Sequence, residues 1–439
     1  MGKLNAYLFK QVDNTPLVLW RIIFGLVLFF ETAGAIAVGW VDEVYIDPPE
    51  FTFTFIGFEW LQPLSGNGMY IYFGLLAFLS IGIILGYRYK LSMLLFTIGW
   101  LGVYFMHKTS YNNHHYLMSL LCVMMALLPA HRDRSMDARA GRVERQNSMY
   151  NYCLQLFVGL FLIVFVYASV AKMYPDWMQG TPLNVWLANK KYSLTGLLFS
   201  SSTKGLIMSW GGIVFDLLII PALIWKRTRN AAFFASVFFH VTNSITFQIG
   251  TFPYMMIGAC VLFYPPSSLK RIFRLKEHQS YSSLAPVPRF KGLIAFSFIT
   301  FITVQVLLPL RHYAIPGNVF WTEEGHRLSW RMMLRSKRGS AAFKVIHSDG
   351  TEIRVNARKD MTPKQYATMS THPDMIWQYC QFLKERHGSD IRIYVSNNVS
   401  LNFRDVRKMI DEDYDMAKAE WHLFQHEEWI TKGPEWSDR

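Results

Sequence analysis

Charged residues are scarce in this chain of 439 residues. Only 17% are Asp, Glu, Lys or Arg, whereas 51% are hydrophobic and 16% aromatic, and a soluble protein usually has about a quarter charged residues. The long apolar runs lie in residues 1–311, while residues 312–439 have the composition of a soluble domain. We therefore predict a membrane domain over residues 1–311, followed by a small water-facing domain over residues 312–439.

Cysteine is also rare, and none of the four cysteines forms a CxxC pair. This pattern argues against a disulfide framework and against a cysteine zinc site. The net charge of +13 would suggest nucleic acid as the partner of a soluble protein. Here the basic residues lie in short loops between apolar runs, which is typical of membrane topology, so we expect a lipid bilayer as partner and no nucleic acid. We also expect no cleavable signal peptide, because the first apolar run is a full-length span without a small-residue cleavage site.

Nine apolar segments approach the length of about 20 residues that a helix needs to cross the bilayer core. They are residues 17–40, 69–86, 91–106, 115–130, 152–171, 205–225, 231–249, 252–265 and 292–310. The third, fourth and eighth are short and are tilted partners, re-entrant segments or spans with polar ends, so the predicted count is about nine. We find no internal repeat.

Lysine and arginine predict the orientation. If the N-terminus is cytoplasmic, most of them fall on inside segments, and the loop over residues 41–68 on the outside has no basic residue. Because cytoplasmic loops carry an excess of Lys and Arg, we predict a cytoplasmic N-terminus and an extracytoplasmic tail.

The tail mixes strands and helices. "FKVIHSDGTEIRV" (343–355) alternates around a Ser-Asp-Gly turn, which predicts a hairpin. "PDMIWQYCQFLKERHG" (373–388) has helical spacing with a glycine stop, and residues 390–396 read as a strand. The predicted fold is an all-α polytopic membrane domain of about nine transmembrane helices, followed by a small α+β extracytoplasmic domain.

Four polar residues lie inside predicted spans, where such side chains are costly and usually face a cavity or a partner. They are Glu31, Asp216, His240 and Asn243. The topology brings them towards the outer side of the membrane, where "HKTSYNNHHYL" (107–117) and Lys172 also lie. Adjacent His114 and His115 point in different directions on a helix, and their spacing is not that of an HExxH metal site.

Each of these residues also has a purely structural interpretation. Glu31 or Asp216 can bind a buried arginine or hydroxyl, and His240 can be a structural hydrogen-bonding residue. The run over residues 112–115 can be a polar turn, and Lys172 can extend its amine to the lipid interface. The functional interpretation is that polar groups at a lipid edge bind a lipid-soluble molecule with a polar head, such as a quinone. A lysine held away from water could then act as a general base.

At these residues the sequence resembles the vitamin K-dependent gamma-glutamyl carboxylases and the broader horizontally transferred transmembrane domain family that includes them. The resemblance runs through almost the whole chain. It is carried by "HKTSYNNHHYL" (107–117), "ASVAKMYPDW" (168–177), "FFHVTNSITFQIGTFPYMM" (238–256), "LLPLRHYAIPGNVFWTEEGHRLSWRMMLRSK" (307–337), "VIHSDG", "HPDMIWQYCQFL" and "AEWHLFQHEEW". The matching tail favours the carboxylase branch of the family.

The resemblance implies a reaction. Vitamin K hydroquinone, or a menaquinol, is deprotonated and oxidised by O2 to the epoxide. The strong base formed on the way removes a γ-proton from a glutamate residue of a protein or peptide, which then takes up CO2, and no metal is required.

The resemblance also implies residue roles. Lys172 corresponds to the residue that activates the hydroquinone, and His114 to the histidine that contacts the quinone oxygen or controls its protonation. Asn113, His240 and Asn243 are then the quinone-binding residues. Trp330, Met332 and Met333 correspond to the segment near the glutamate entrance.

Two departures bear on the substrate. Vertebrate members have a much longer lumenal region, and they have Leu-Tyr-Gly-Tyr where this chain has Gly-His-Arg-Leu at residues 325–328. The difference at residues 325–328 affects recognition of the glutamate substrate. The short tail without extra modules predicts a bacterial inner-membrane protein rather than one of the endoplasmic reticulum. One alternative is a quinone epoxidase with no carboxylation or with a different carboxylation substrate, and another is a membrane transporter or scaffold that uses Glu31 and Asp216. The sequence leaves the oligomeric state open.

Overall fold

The computed structural model describes residues 2–48, 50–188, 203–276, 288–332 and 334–435. In these parts of the chain, nine helices occupy the positions of the nine predicted segments. They are α1 Thr15–Ala37, α2 Gly68–Leu85, α3 Tyr89–Met106, α4 Asn113–Leu127, α5 Tyr152–Ala171, α6 Lys204–Ile224, α7 Arg229–Phe247, α8 Phe252–Ala259 and α9 Lys291–Leu307.

Six of the nine helices are long and apolar enough to cross a membrane, namely α1, α2, α3, α5, α6 and α9, the last with a 3₁₀ extension to Tyr313. Helix α4 has only 15 residues, and α8 with its 3₁₀ extension ends at Phe263. Helix α7 has 19 residues, but its outer half contains His240, Thr242 and Asn243. Its polar side chains therefore need protein neighbours rather than lipid.

The start of α4 is fixed by a capping interaction. The side-chain oxygen of Asn112 accepts a hydrogen bond from the main-chain N–H of His115, at 2.8 Å. Such an N-cap satisfies a main-chain donor that the first helical turn leaves without a partner. Asn113, His114 and His115 therefore occupy the first turn of α4, where successive side chains point in different directions.

A buried arginine lies at the end of the membrane domain opposite the start of α4. Arg21 of α1 is only 1% exposed, and its guanidinium donates hydrogen bonds to the main-chain oxygens of Ala130 at 3.0 Å and Arg134 at 2.8 Å. These carbonyls, rather than Glu31, surround the arginine. A short antiparallel pair, β1 Gln11–Asp13 and β2 Ser148–Tyr150, lies on the chain segments just before α1 and α5.

The tail is the predicted α+β unit. Strands β3 Lys337–His347, β4 Glu352–Val355, β5 Ile391–Leu401 and β6 Arg407–Lys408 form an antiparallel sheet in the order β4-β3-β5-β6. Two helices, α10 Pro363–Met369 and α11 Pro373–His387, accompany it. The predicted hairpin, helix and final strand are all present, and Phe343 pairs with Val355 on one side and with Val395 on the other.

Buried ion pairs join the tail to the membrane domain. The Lys108 amine lies 2.6 Å from the carboxylate of Asp374, which also binds Arg327 at 2.7 Å. Burial lowers the pKa of Lys108 to about 8. Burial would raise the pKa of Asp374, but Arg327 and Lys108 outweigh that effect and hold it below its ordinary value. Asp374 thus stays ionised and fixes α11 against the loop that precedes α4.

Candidate functional site

Lys172 caps the C-terminal end of α5, and its amine points into the protein. The amine donates a hydrogen bond to the main-chain oxygen of Ala168 at 3.1 Å and forms an ion pair with the carboxylate of Asp216. The Trp177 ring centroid lies 5.9 Å from the amine, and the lysine side chain is 11% exposed. The amine is therefore held away from bulk water.

Asp216 reaches Lys172 from the middle of α6. The carboxylate is 6% exposed, and a glycine one turn earlier, Gly212, leaves room for the lysine side chain. A Cβ atom at Gly212 would stand 3.9 Å from both Cδ and Cε of Lys172.

Lys172 and Asp216 line a cavity of about 440 Å³, within the range of about 300–1,000 Å³ that small-molecule sites commonly have. Its walls are mostly apolar and strongly aromatic. The aromatic side chains are Phe165, Trp177, Trp186, Phe215, Phe238, Phe239, Phe247 and Phe252. Flat apolar walls of this kind suit a planar ring system.

Two histidines add polar atoms to the cavity. The His114 ring stacks on Phe252, with centroids 3.7 Å apart and an interplanar angle of 13°. His240 meets the same Phe252 edge-on at 6.0 Å. Its Nε2 atom is buried without a hydrogen-bond partner among the described residues. A buried polar atom without a partner is costly, so a ligand with a hydroxyl or carbonyl group would satisfy it.

His115 faces away from the cavity. Its Nε2 atom lies 3.1 Å from the Glu31 carboxylate, and the same carboxylate accepts a hydrogen bond from the Thr251 hydroxyl. Glu31 thus binds a hydroxyl and an imidazole, as the structural interpretation of this residue allowed. The contact with Thr251 also places Phe252, the stacking partner of His114, beside the start of α4.

The other residues that the sequence singled out divide into two groups. Asn243 and Met332 line the cavity together with Lys172, His114 and His240. Asn113 and Trp330 do not belong to the lining.

Asn113 donates a hydrogen bond from its side-chain amide to the main-chain oxygen of Arg331. Trp330 is fully buried and stacks on Tyr116, with ring centroids 4.7 Å apart. Met333 lies outside the described residues.

The cavity opens sideways, between α6 and α7. Two of its lining residues, Ile207 of α6 and Phe238 of α7, are 44% and 62% exposed. Apolar side chains that are exposed on membrane helices face lipid tails. A molecule with a long apolar chain can therefore place its head in the cavity while the chain stays in the bilayer.

Sequence reasoning noticed Asp216 as an intramembrane acid but did not pair it with Lys172. The available signal was an acid and an amine on successive membrane helices, although Asp176, four residues after Lys172, was an equally available partner in the sequence. It missed Gly212, Trp177 and Trp186 as cavity walls. Gly212 lies inside an apolar run, where a glycine carries no separate signal, and the two tryptophans lie between the fifth and sixth predicted spans, where nothing in the sequence places them against α6.

Comparison with protein families gives two matches that together cover most of the chain. Residues 9–267 match the HTTM domain, and residues 290–435 match the lumenal domain of vitamin K-dependent gamma-carboxylase. No solved structure matches the chain. The first match contains every cavity residue named above except Met332, which the second match contains.

Proposed function

Since the chain belongs to the HTTM domain family and carries a vitamin K-dependent gamma-carboxylase lumenal domain, we propose that it is an integral-membrane enzyme that carboxylates glutamate. It would oxidise vitamin K hydroquinone, or a menaquinol, with O2 to the epoxide and water. The base formed on the way would remove the γ-proton of a protein glutamate, and the γ-carbon would add CO2. The protein is a multi-pass membrane protein with an extracytoplasmic C-terminal domain.

The observation that carries this proposal is the placement of the Lys172 amine in an aromatic, laterally open cavity together with the imidazoles of His114 and His240. The amine can accept the proton of a hydroquinone hydroxyl, because an amine and a phenol have ordinary pKa values of similar size. The imidazole of His240 has a buried nitrogen available for a hydroxyl or carbonyl of the quinol ring. The aromatic walls would hold the ring flat.

The same cavity supports the later steps by excluding water. Removal of a γ-carbon proton needs a base stronger than any side chain, and water would quench such a base. Burial of Lys172 and the apolar walls keep bulk water away from the quinol ring. Met332 would stand where the cavity meets the tail, so we propose that Met332 and Met333 contact the glutamate substrate and that Trp330, buried against Tyr116, holds this segment in place.

Two further elements of the proposal concern organisation. We take residues 1–311 as the membrane unit and residues 312–439 as the extracytoplasmic unit. We also propose the bacterial inner membrane as the location.

The test is an assay on protein reconstituted in lipid nanodiscs with reduced vitamin K, O2, labelled bicarbonate and a glutamate-rich peptide. The wild type is expected to form the epoxide and labelled peptide, Lys172→Ala to form neither, and Lys344→Ala, an exposed control on β3, to match the wild type. Absence of epoxide with both vitamin K and menaquinol hydroquinones would overturn the proposal. Epoxide without peptide label over a broad peptide panel would restrict the function to quinone epoxidation.

A further inference from the structure

Lys172 and Asp216 form a buried pair at the head of the cavity, and the proposed function uses only the lysine. An ammonium beside a carboxylate is stabilised in its charged form, and a charged amine cannot accept a proton. The pair as it stands therefore conflicts with a simple role of Lys172 as a neutral base. Lys172 must therefore lose a proton before it can act as a base, and its ion-pair partner Asp216 is placed to take that proton.

We propose that Asp216 is the proton partner of Lys172: its carboxylate takes over the proton that the amine carries in the resting pair, which frees the amine to accept the proton of the quinol hydroxyl. This inference rests on the proposed function. Asp216 acts on the quinol through Lys172 and is thus a positioning residue rather than a catalytic one.

The transfer balances. One N–H bond of the ammonium breaks as one O–H bond forms on Asp216, and the quinol O–H bond then breaks as a new N–H bond forms on Lys172. The electron pair of the broken O–H bond stays on the quinol oxygen. The pair changes from no net charge to +1 beside an anion of −1, so the cavity as a whole remains neutral, which matters where charges are poorly solvated.

The surroundings contain few groups that could take over this role. His114 of α4 and His240 of α7 are the other titratable side chains that line the cavity in the described part of the chain. In the described part of the chain, the hydrogen-bond partners of the Lys172 amine are Asp216 and the main-chain oxygen of Ala168, not a histidine. Asp176, four residues beyond Lys172, binds Arg404 at 2.9 Å and Asn402 at 2.9 Å in the tail.

If Asp216 exchanges a proton with Lys172, Asp216→Asn should change the pH dependence of kcat. A purely structural role of Asp216 predicts no such change. In the wild type the active state of the pair holds one proton, so activity falls in acid only when the carboxylate takes up a second one. In Asp216→Asn the active state is a lone neutral amine, and activity falls when that amine is protonated. The acid limb of kcat should therefore move to higher pH by at least one unit.

The reactivity of the amine should shift in the opposite direction. Without the carboxylate, the ammonium loses its stabilising neighbour, so the amine becomes reactive at lower pH. Opposite shifts in the two measurements are the signature of the pair.

The experiment measures both quantities on reconstituted full-length protein. Modification of Lys172 by an amine-reactive acylating reagent is followed by peptide mass spectrometry from pH 6 to pH 11, and epoxide formation is followed over the range in which the protein stays folded. Asp216→Asn is expected to reduce kcat about 100-fold, as for the loss of an acid–base group, with a quinol KM close to that of the wild type. Asp216→Glu should recover at least a tenth of the rate.

A matched control is Asp13→Asn, which removes the carboxylate of another Asp–Lys pair, with Lys270 at 2.7 Å. Asp13→Asn should change neither the pH dependence of epoxide formation nor the pH dependence of Lys172 labelling. An unchanged acid limb and an unchanged labelling profile in Asp216→Asn would overturn the inference, even if the rate fell. Labelling does not require turnover, so a wild type that forms no epoxide would refute the proposed function while the labelling shift still decides whether Asp216 controls the Lys172 proton.

Discussion

The side-chain amide of Asn113 donates a hydrogen bond to the main-chain oxygen of Arg331, 3.0 Å away. This bond fastens the residue before His114 to the residue before Met332, and so links two walls of the cavity across the junction of membrane domain and tail. The hydroxyl of Tyr111 adds a second tie, because it accepts a hydrogen bond from the main-chain N–H of Leu328 at 2.7 Å.

The segment held by these two bonds is strained. Leu328 and Trp330 adopt left-handed backbone conformations, with φ of 60° and 58°, and such conformations cost on the order of 1–3 kcal/mol each for residues other than glycine. We predict that Asn113→Asp, which keeps the shape but loses the donor, lowers the free energy of unfolding by about 1–3 kcal/mol. Thermal unfolding in detergent measures this, and an Asn113→Asp protein as stable as the wild type would contradict it.

Trp330 is expected to matter chiefly for stability. Its side chain is fully buried and stacks on Tyr116, so Trp330→Ala should lower the free energy of unfolding by about 3–5 kcal/mol. Trp60→Ala is the matched control, because Trp60 is 76% exposed. A Trp330→Ala protein of normal stability with a raised KM for the glutamate peptide would instead indicate direct substrate contact.

The lateral opening can be narrowed at Gly211. This glycine lines the cavity on α6, and a Cβ atom there would meet no atom within 4 Å, so the fold should tolerate Gly211→Phe. We predict a raised KM for quinols with long isoprenoid chains and a much smaller effect on short-chain quinols. Gly74→Phe on α2, where the space is equally open, is the control. Equal effects on both quinols would contradict entry through this opening.

Mild acid should lower the stability of the contact between the membrane domain and the tail, because His372 takes up a proton more readily in the unfolded chain. Burial lowers the pKa of His372 to about 4 from its ordinary 6.5, against the attraction of Glu323. Between these pH values the unfolded chain binds a proton that the folded protein does not, so the free energy of unfolding falls as the pH drops from 6.5 to 4. The thermal midpoint should fall as well, and His372→Asn, which places a favourable N-cap residue before α11, should make the midpoint less dependent on pH. An identical slope in both proteins would refute the assignment.

The sequence predicted the helices and the tail because each of these depends on neighbours along the chain. Long apolar runs predict membrane helices because lipid surrounds such helices. The turn at Ser348, Asp349 and Gly350 predicts the hairpin. The contact between Lys172 and Asp216 was not predictable in this way. The two residues are 44 positions apart. They meet only because α5 packs against α6 with the two side chains at the same level.

The burial of Trp330 depends on packing in the same manner. The family resemblance predicts that this residue lies near the substrate entrance, but the stacking on Tyr116 and the bond from Asn113 to Arg331 decide how deeply it is buried. Neither contact leaves a periodic signal in the sequence.

The opening between α6 and α7 has a consequence for how the enzyme would be supplied. Under the proposed function, the quinol diffuses in the plane of the bilayer and never enters the aqueous phase. Saturation is then governed by the mole fraction of quinol in the membrane. Diluting the vesicles at constant lipid composition should leave the rate per enzyme unchanged, whereas adding plain lipid should lower it.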